Sequence, residues 1–60
     1  MTKKEFIEKL LKIAYKNTLC LDDDFRVKNA KDMTLLFIKE KQIKLYTKST
    51  IEYIKNYKFN

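Results

Sequence analysis

The apolar positions near the N-terminus repeat with the period of an α-helix. They fall within one arc of a helical wheel, and most of the lysines and glutamates fall opposite. The apolar set is Phe6, Ile7, Leu10, Leu11, Ile13 and Ala14. Thr2 and Glu5 have the spacing of a capping box, in which each side chain bonds the other residue's free backbone amide. The pattern predicts an amphipathic helix from about Lys3 to Asn17.

A second amphipathic helix is predicted near the C-terminus, from about Thr50 to Lys58. Ser49 and Glu52 repeat the capping-box spacing. The apolar side of the segment carries Ile51, Tyr53, Ile54 and Tyr57. Because so short a helix is unstable alone in water, it must pack against the rest of the chain.

The central part of the chain alternates apolar and polar positions with a period of two, which indicates half-buried strands. The alternation runs through residues 34–38 and 43–47, and a turn at Glu40 and Lys41 places the apolar residues of both strands on one face. That turn lacks the Gly, Asn or Asp that short hairpins favour. Phe25 and Val27 fit a third strand, although Asp22 could instead cap a short helix through Ala30.

The predicted fold class is therefore α+β, with a helix, a three-stranded antiparallel meander and a second helix. The alternative is a small all-α bundle of three or four helices. Its four-helix form requires residues 33–46 to be helical, and the apolar stripe through Leu35, Ile38 and Leu45 then includes Gln42 and leaves Phe37 elsewhere. With no linker or repeat in the pattern, residues 1–60 are expected to form one small domain.

The residue types needed for catalysis or metal binding are scarce. The sequence has no histidine, no glycine and a single cysteine, Cys20, so we expect no enzymatic activity, no cofactor, no zinc site, no small-molecule substrate and no intrachain disulfide. The acidic triplet Asp22, Asp23 and Asp24 fails as a calcium loop, because Val27 stands where glycine is required. We interpret the triplet as a loop or helix cap.

The pattern also bears on location. The N-terminal apolar residues are interrupted by lysines and glutamates, so no signal peptide is expected, and no apolar run is long enough for a membrane span. A membrane-surface role for the first helix is disfavoured because its polar face mixes glutamate with lysine. A cytoplasmic protein with a free thiol at Cys20 is expected.

The formal net charge is +6, and all fourteen basic residues are lysines except Arg26. Such a balance favours a polyanionic partner. Part of this positive charge reflects codon usage. A sequence rich in Lys, Ile, Asn and Tyr and devoid of Gly and Pro is typical of an AT-rich genome. The single arginine disfavours sequence-specific base reading, for which bidentate arginine contacts are preferred.

The predicted sheet leaves one face uncovered by helices, and that face carries cations interleaved with aromatic rings. The candidate binding residues on it are Arg26, Lys28, Phe37, Lys39, Lys44, Tyr46 and Lys48. This composition suits nucleic-acid backbone binding with little sequence specificity.

The same exposed face also suits a protein partner. The alternative function is an inhibitor or adaptor of the kind encoded by phages and mobile elements, which docks on a host protein such as a nucleic-acid-processing enzyme or a CRISPR-type defence protein. A homodimer would also bury the apolar strip.

Overall fold

The computed structural model describes residues 2–19 and 21–59, and within them the chain is helical with no strand. The helices are α1 (Lys3–Asn17), α2 (Asp23–Lys41) and α3 (Lys48–Asn56), with a short 3-10 helix (Ile43–Leu45) between α2 and α3. The predicted three-stranded meander is therefore wrong, and the small all-α alternative fits in its three-helix form. Cys20 and its predicted free thiol lie outside the described residues.

The first helix has the predicted bounds. The Thr2 hydroxyl accepts a hydrogen bond from the Glu5 amide at 3.1 Å, and the Glu5 carboxylate accepts one from the Thr2 amide at 3.3 Å. This reciprocal pair satisfies two backbone donors that the first turn leaves free. The capping box predicted from the sequence is confirmed.

The last helix exists but begins earlier than predicted. Its N-cap is Thr47, whose extended backbone places the hydroxyl to accept from the Thr50 amide at 3.3 Å. Ser49, the predicted cap, lies inside the first turn, and the helix ends at Asn56. The sequence offers several hydroxyl residues in a row, so the cap is decided by where the chain leaves the 3-10 helix.

The long helix α2 occupies the segment predicted as strands. It starts at the Asp22 cap, whose carboxylate accepts from the Asp24 amide at 3.1 Å, and it continues well past Ala30. The buried face of α2 carries Ala30, Thr34 and Ile38, whereas Leu36 is half exposed on the outward side. Because apolar residues surround the whole helix, α2 shows no amphipathic period, and the central alternation was misread as strands.

The core is small. The large side chains that are completely buried are Ile7 and Leu11 from α1, Ile38 from α2 and Ile54 from α3. Partly buried apolar side chains surround them: Phe6, Leu10, Leu35, Leu45, Tyr46, Tyr53, Tyr57 and Phe59. A 60-residue chain buries only about 60% of the surface that it exposes when unfolded. We therefore expect a marginal free energy of unfolding.

Side-chain hydrogen bonds fix how the helices lie against one another. Asn29 on α2 donates to the Thr18 hydroxyl just after α1 at 2.9 Å, so α1 and α2 run antiparallel. Lys31 on α2 donates to the Lys55 carbonyl of α3 at 2.7 Å. As a result, the start of α1, the end of α2 and the start of α3 share one end of the bundle. None of the helices in the described segments combines the length and apolarity needed to cross a membrane.

Candidate binding surfaces

The binding face predicted from the sequence is split by the helical fold. Four of its members, Lys39, Lys44, Tyr46 and Lys48, follow one another around the end of α2, the 3-10 helix and the start of α3. Lys28 is exposed on α2 but lies eleven residues, or about 16 Å, before Lys39. The prediction of a single face depended on a sheet. Because the described chain is helical, Arg26, Lys28 and Phe37 lie apart from the other four residues.

Arg26 is part of the packing between helices. Its guanidinium lies 4.3 Å from the centre of the Tyr15 ring and donates to the Tyr15 carbonyl at 3.2 Å. The Tyr15 ring also stacks on Phe59 at a centroid distance of 4.8 Å, and its hydroxyl donates to Asp23. Arg26 therefore joins α1 to α2, and the interpretation of it as an exposed phosphate contact does not fit this position.

Two tyrosine hydroxyls are held by carboxylates. The hydrogen bond to Asp23, with smaller effects of burial and charge, raises the pKa of Tyr15 above its ordinary value of 10.0. Burial raises the pKa of Tyr53, and the Glu8 carboxylate adds to the shift through its charge and by accepting a hydrogen bond from the Tyr53 hydroxyl at 3.3 Å. Both shifts favour the protonated phenol, which can donate to a carboxylate.

Lysines from every helix gather at the end of the bundle where α2 stops and α3 begins. We call this set the basic end: Lys3, Lys4, Lys39, Lys41, Lys44 and Lys48, all of them exposed. Sequence reasoning found the last part of it but missed Lys3, Lys4 and Lys41. The order of the helices could have indicated Lys3 and Lys4, because antiparallel packing of α1 on α2 brings the first turn of α1 close to the last turn of α2.

Three lysines of the basic end occupy positions that helix electrostatics disfavours. Lys3 and Lys4 stand in the first turn of α1 together with Glu5, and Lys48 begins α3, whose first turn has no acidic residue. A helix start is electropositive, so a cation there is unfavourable by roughly 0.3–1 kcal/mol, whereas an anion there is stabilised. The Lys4 ammonium lies 5.9 Å from the centre of the Tyr53 ring, which offsets part of that penalty.

The opposite end of the bundle is acidic at the start of α2. Asp22 caps the helix, Asp23 accepts from Tyr15, and Asp24 stands in the first turn. The capping role predicted for the triplet is confirmed for Asp22. No group of three potential metal ligands comes together within the described residues.

The second distinct surface is an apolar groove between α1 and α2, with a volume of about 380 Å³. Its lining consists of Leu10, Ile13, Ala14, Asn17, Thr18, Asn29, Met33, Thr34 and Phe37. Ile13, Met33 and Phe37 keep 50%, 54% and 40% of their surface exposed. Phe37 was predicted on the same face as the lysines, but it belongs to this groove.

Thr34 is the unusual member of the groove. The residue is 2% exposed, and its hydroxyl oxygen has no hydrogen-bond partner among the described residues. A buried hydroxyl without a partner costs about 1–3 kcal/mol relative to a paired one. The groove therefore contains one buried polar group without a hydrogen bond among the described residues.

Comparisons of the chain with protein-family models, with curated proteins and with solved structures find no match. The features of this chain that indicate a function are therefore its basic end and its apolar groove.

Proposed function

We propose that this protein is a non-catalytic binding protein that uses its basic end to contact the phosphate backbone of a nucleic acid, with little sequence specificity. The observation that carries the proposal is the placement of Lys3, Lys4 and Lys48 in the first turns of α1 and α3. At α1 the Glu5 carboxylate already lies at the helix start. The first turn of α3 has no acidic residue, so Lys48 there becomes favourable when an anion binds, because the helix start and the lysines then attract the same charge.

The chemistry of the basic end fits backbone contact better than base reading. Lysine is a compact cation that neutralises phosphates without a fixed geometry. Arg26, the chain's one arginine, is held against Tyr15 and is not free for a bidentate contact with guanine. Tyr46 is half-buried against the core, so full stacking of its ring on a base is not expected.

The test compares two triple variants with the same change in net charge. The first, Lys39→Gln/Lys44→Gln/Lys48→Gln, removes half of the basic end. The second replaces three distant lysines, Lys12, Lys28 and Lys58, by glutamine and serves as the matched control. All six are exposed, so both variants should keep the helical circular dichroism signal of the parent.

Binding of fluorescent single-stranded and double-stranded oligonucleotides is then measured by anisotropy in about 50 mM salt. We expect the first variant to lose at least tenfold in affinity and the control to lose about threefold or less. Equal losses would contradict the proposal, because they would show that only the net charge of the chain matters.

The second candidate function is docking on a host protein, as an inhibitor or adaptor of phage or mobile-element type. The apolar groove favours it, since half-exposed Ile13, Met33 and Phe37 have the character of interface residues. The host target would be a nucleic-acid-processing or CRISPR-type defence protein. This function predicts salt-tolerant binding that Met33→Lys abolishes and the basic-end variant preserves.

A further inference from the structure

We infer that the nucleic acid contacted by the basic end is a duplex, an inference that rests on the proposed function. The lysines of the basic end reach phosphates of both strands across one groove. Two features carry this choice of substrate class. The lysines are spread over the ends of three helices, and no ring among the described residues at this end is open for stacking on a base.

The lysines of the basic end form a two-dimensional array, because each helix contacts the other two. Hydrogen bonds join α1 to α2 and α2 to α3, and the bond from Tyr53 to Glu8 joins α3 to α1. Packed helices lie about 8–10 Å apart from axis to axis, so the three helix ends form a triangle and not a row. Its corners carry Lys3 and Lys4 on α1, Lys39 and Lys41 on α2, and Lys44 and Lys48 around the start of α3.

A triangle of this size matches the two lines of phosphates that border a groove. The backbone measures 33 × 22 × 20 Å, and the two short extents set the width of the basic end. The grooves of a B-form duplex are about 6 and 12 Å wide, so lysines at different corners lie over phosphates of different strands. A single strand has one line of phosphates and must fold back within a few nucleotides to reach all three corners. The rigid duplex presents both lines already ordered.

The carboxylates near the basic end leave an excess of positive charge there. Glu5 is bonded to the N-cap amide of α1, and Glu8 is paired with Lys12 at 3.6 Å. Glu40 in the last turn of α2 and Glu52 in the second turn of α3 are exposed. None of the six lysines forms an ion pair within residues 2–19 and 21–59. Phosphates that approach them therefore displace no carboxylate partner in that part of the chain.

The rings at the basic end are already engaged in the fold. Tyr46 and Tyr53 are half-buried against the core. The Tyr53 hydroxyl donates to Glu8, and the Lys4 ammonium lies 5.9 Å from the centre of the Tyr53 ring. Proteins that bind single strands without sequence preference stack successive bases on open aromatic rings. The basic end lacks such a platform within the described residues, which favours a substrate whose bases are stacked on one another.

Phe37 is half-exposed and lies one turn before Lys41 on α2, but it belongs to another surface. Its ring lines the apolar groove with Ile13 and Met33. A strand that stacked a base on Phe37 would have to follow this groove, and no lysine lines it. Phosphate contact and base stacking therefore fall on different surfaces of the molecule.

The test measures binding of the wild-type protein to a labelled duplex of about 20 base pairs, two helical turns, and to each of its separated strands. The strands have a mixed sequence without self-complementarity, and a DNA and an RNA version are both used. Anisotropy is recorded in a salt series. We expect either duplex to bind roughly tenfold or more tightly than its own strands at equal phosphate concentration.

The salt dependence gives the number of phosphates contacted. For the duplex, log Kd against log salt should have a slope of about 3–5, and for a strand that meets two or three lysines the slope should be about 1–2. A strand that binds as tightly as the duplex, with an equal slope, would overturn the inference and leave the proposed function standing. Failure of the duplexes and of the strands to bind would overturn both.

Two double variants test whether separate helices contact the duplex together. Lys3→Gln/Lys4→Gln changes α1, and Lys39→Gln/Lys41→Gln changes α2. Lys28→Gln/Lys58→Gln is the control with the same change in net charge, and all six lysines are exposed. We expect each of the first two variants to lose roughly tenfold in duplex affinity and the control to lose about threefold or less. A loss confined to one helix would refute contact across a groove.

Phe37→Ala tests the separation of the surfaces. This change should leave duplex affinity and strand affinity within about twofold of the parent, because stacking on the ring makes no contribution. Helical circular dichroism serves as the control for folding. A selective loss of single-strand affinity in a folded Phe37→Ala protein would show that bases stack in the groove and would contradict the preference for a duplex.

Discussion

The two buried threonines of the bundle provide a matched test of how its polar groups are satisfied. Thr34 is 2% exposed and its hydroxyl is unpaired among the described residues, whereas Thr50 is 6% exposed and its hydroxyl accepts from Thr47 at 3.1 Å. Both residues lie in helices, and valine has nearly the same shape and helix propensity. The substitutions Thr34→Val and Thr50→Val therefore differ mainly in whether a hydrogen bond is lost.

The expected changes in the free energy of unfolding have opposite signs. Thr34→Val removes an unpaired buried hydroxyl and should stabilise the chain by about 1 kcal/mol. Thr50→Val removes one hydrogen bond and should destabilise it by about 1 kcal/mol. In a domain of this size each change corresponds to a shift in Tm of about 4–8 °C.

Thermal and urea unfolding followed by circular dichroism at 222 nm measure both variants against the parent. The parent and both variants are compared at one protein concentration. If Thr34→Val is less stable than the parent, the Thr34 hydroxyl has a hydrogen-bond partner in solution. The description of Thr34 as an unpaired buried hydroxyl would then be wrong. If Thr50→Val is neutral, the bond from Thr47 contributes nothing.

Four further variants test the core, the cap and the tyrosines. Leu11→Ala should lose about 2–5 kcal/mol, because Leu11 is completely buried, and urea titration should find it largely unfolded. Asp22→Ala should lose about 1 kcal/mol and Asp22→Asn much less, since the bond to the Asp24 amide needs only a side-chain oxygen; both follow from urea midpoints. The raised pKa values of Tyr15 and Tyr53 contribute stability that is complete below pH 10 and is lost as the pH rises through the folded-state values. The double Tyr→Phe variant should show a smaller loss of Tm between pH 9 and 12, and an unchanged alkaline profile would contradict that linkage.

The elements with several agreeing local signals were predictable from the sequence. For α1, the Thr2 cap, the Glu5 partner and the apolar stripe all indicate the same helix, and its bounds follow. For α3, the stripe through Ile54 predicted the helix, but the choice between Thr47 and Ser49 as cap depends on the path of the preceding chain. The local sequence pattern does not predict the path of the chain between α2 and α3.

The long helix was missed because apolar residues lie on its exposed side as well as on its buried side. The outward residues Met33, Leu36 and Phe37 cancel the amphipathic signal that Ile38 and its inward neighbours would give alone. Without a helical period, the alternation of residues 34–38 predicts a strand. A helix with apolar residues on both its buried and its exposed sides gives no clear 3.6-residue period.

The candidate site was predictable only in part. Lys39, Lys44 and Lys48 were identified because they are close in sequence, and they remain together in the fold. Lys3 and Lys4 join them only through the packing of α1 on α2. Composition does not reveal that the guanidinium of Arg26 lies against the Tyr15 ring.

The most direct test of the proposed function is the salt dependence of nucleic-acid binding by the wild-type protein. If the basic end contacts phosphates through four to six lysines, log Kd plotted against log salt should have a slope of about 3–5, with similar affinity for unrelated sequences. In a parallel pull-down from a host lysate at high salt, the wild-type protein should retain no protein partner. Negligible nucleic-acid binding at about 50 mM salt, or a salt-independent affinity, would contradict the proposal. Retention of one host protein at high salt would favour the docking function of the groove.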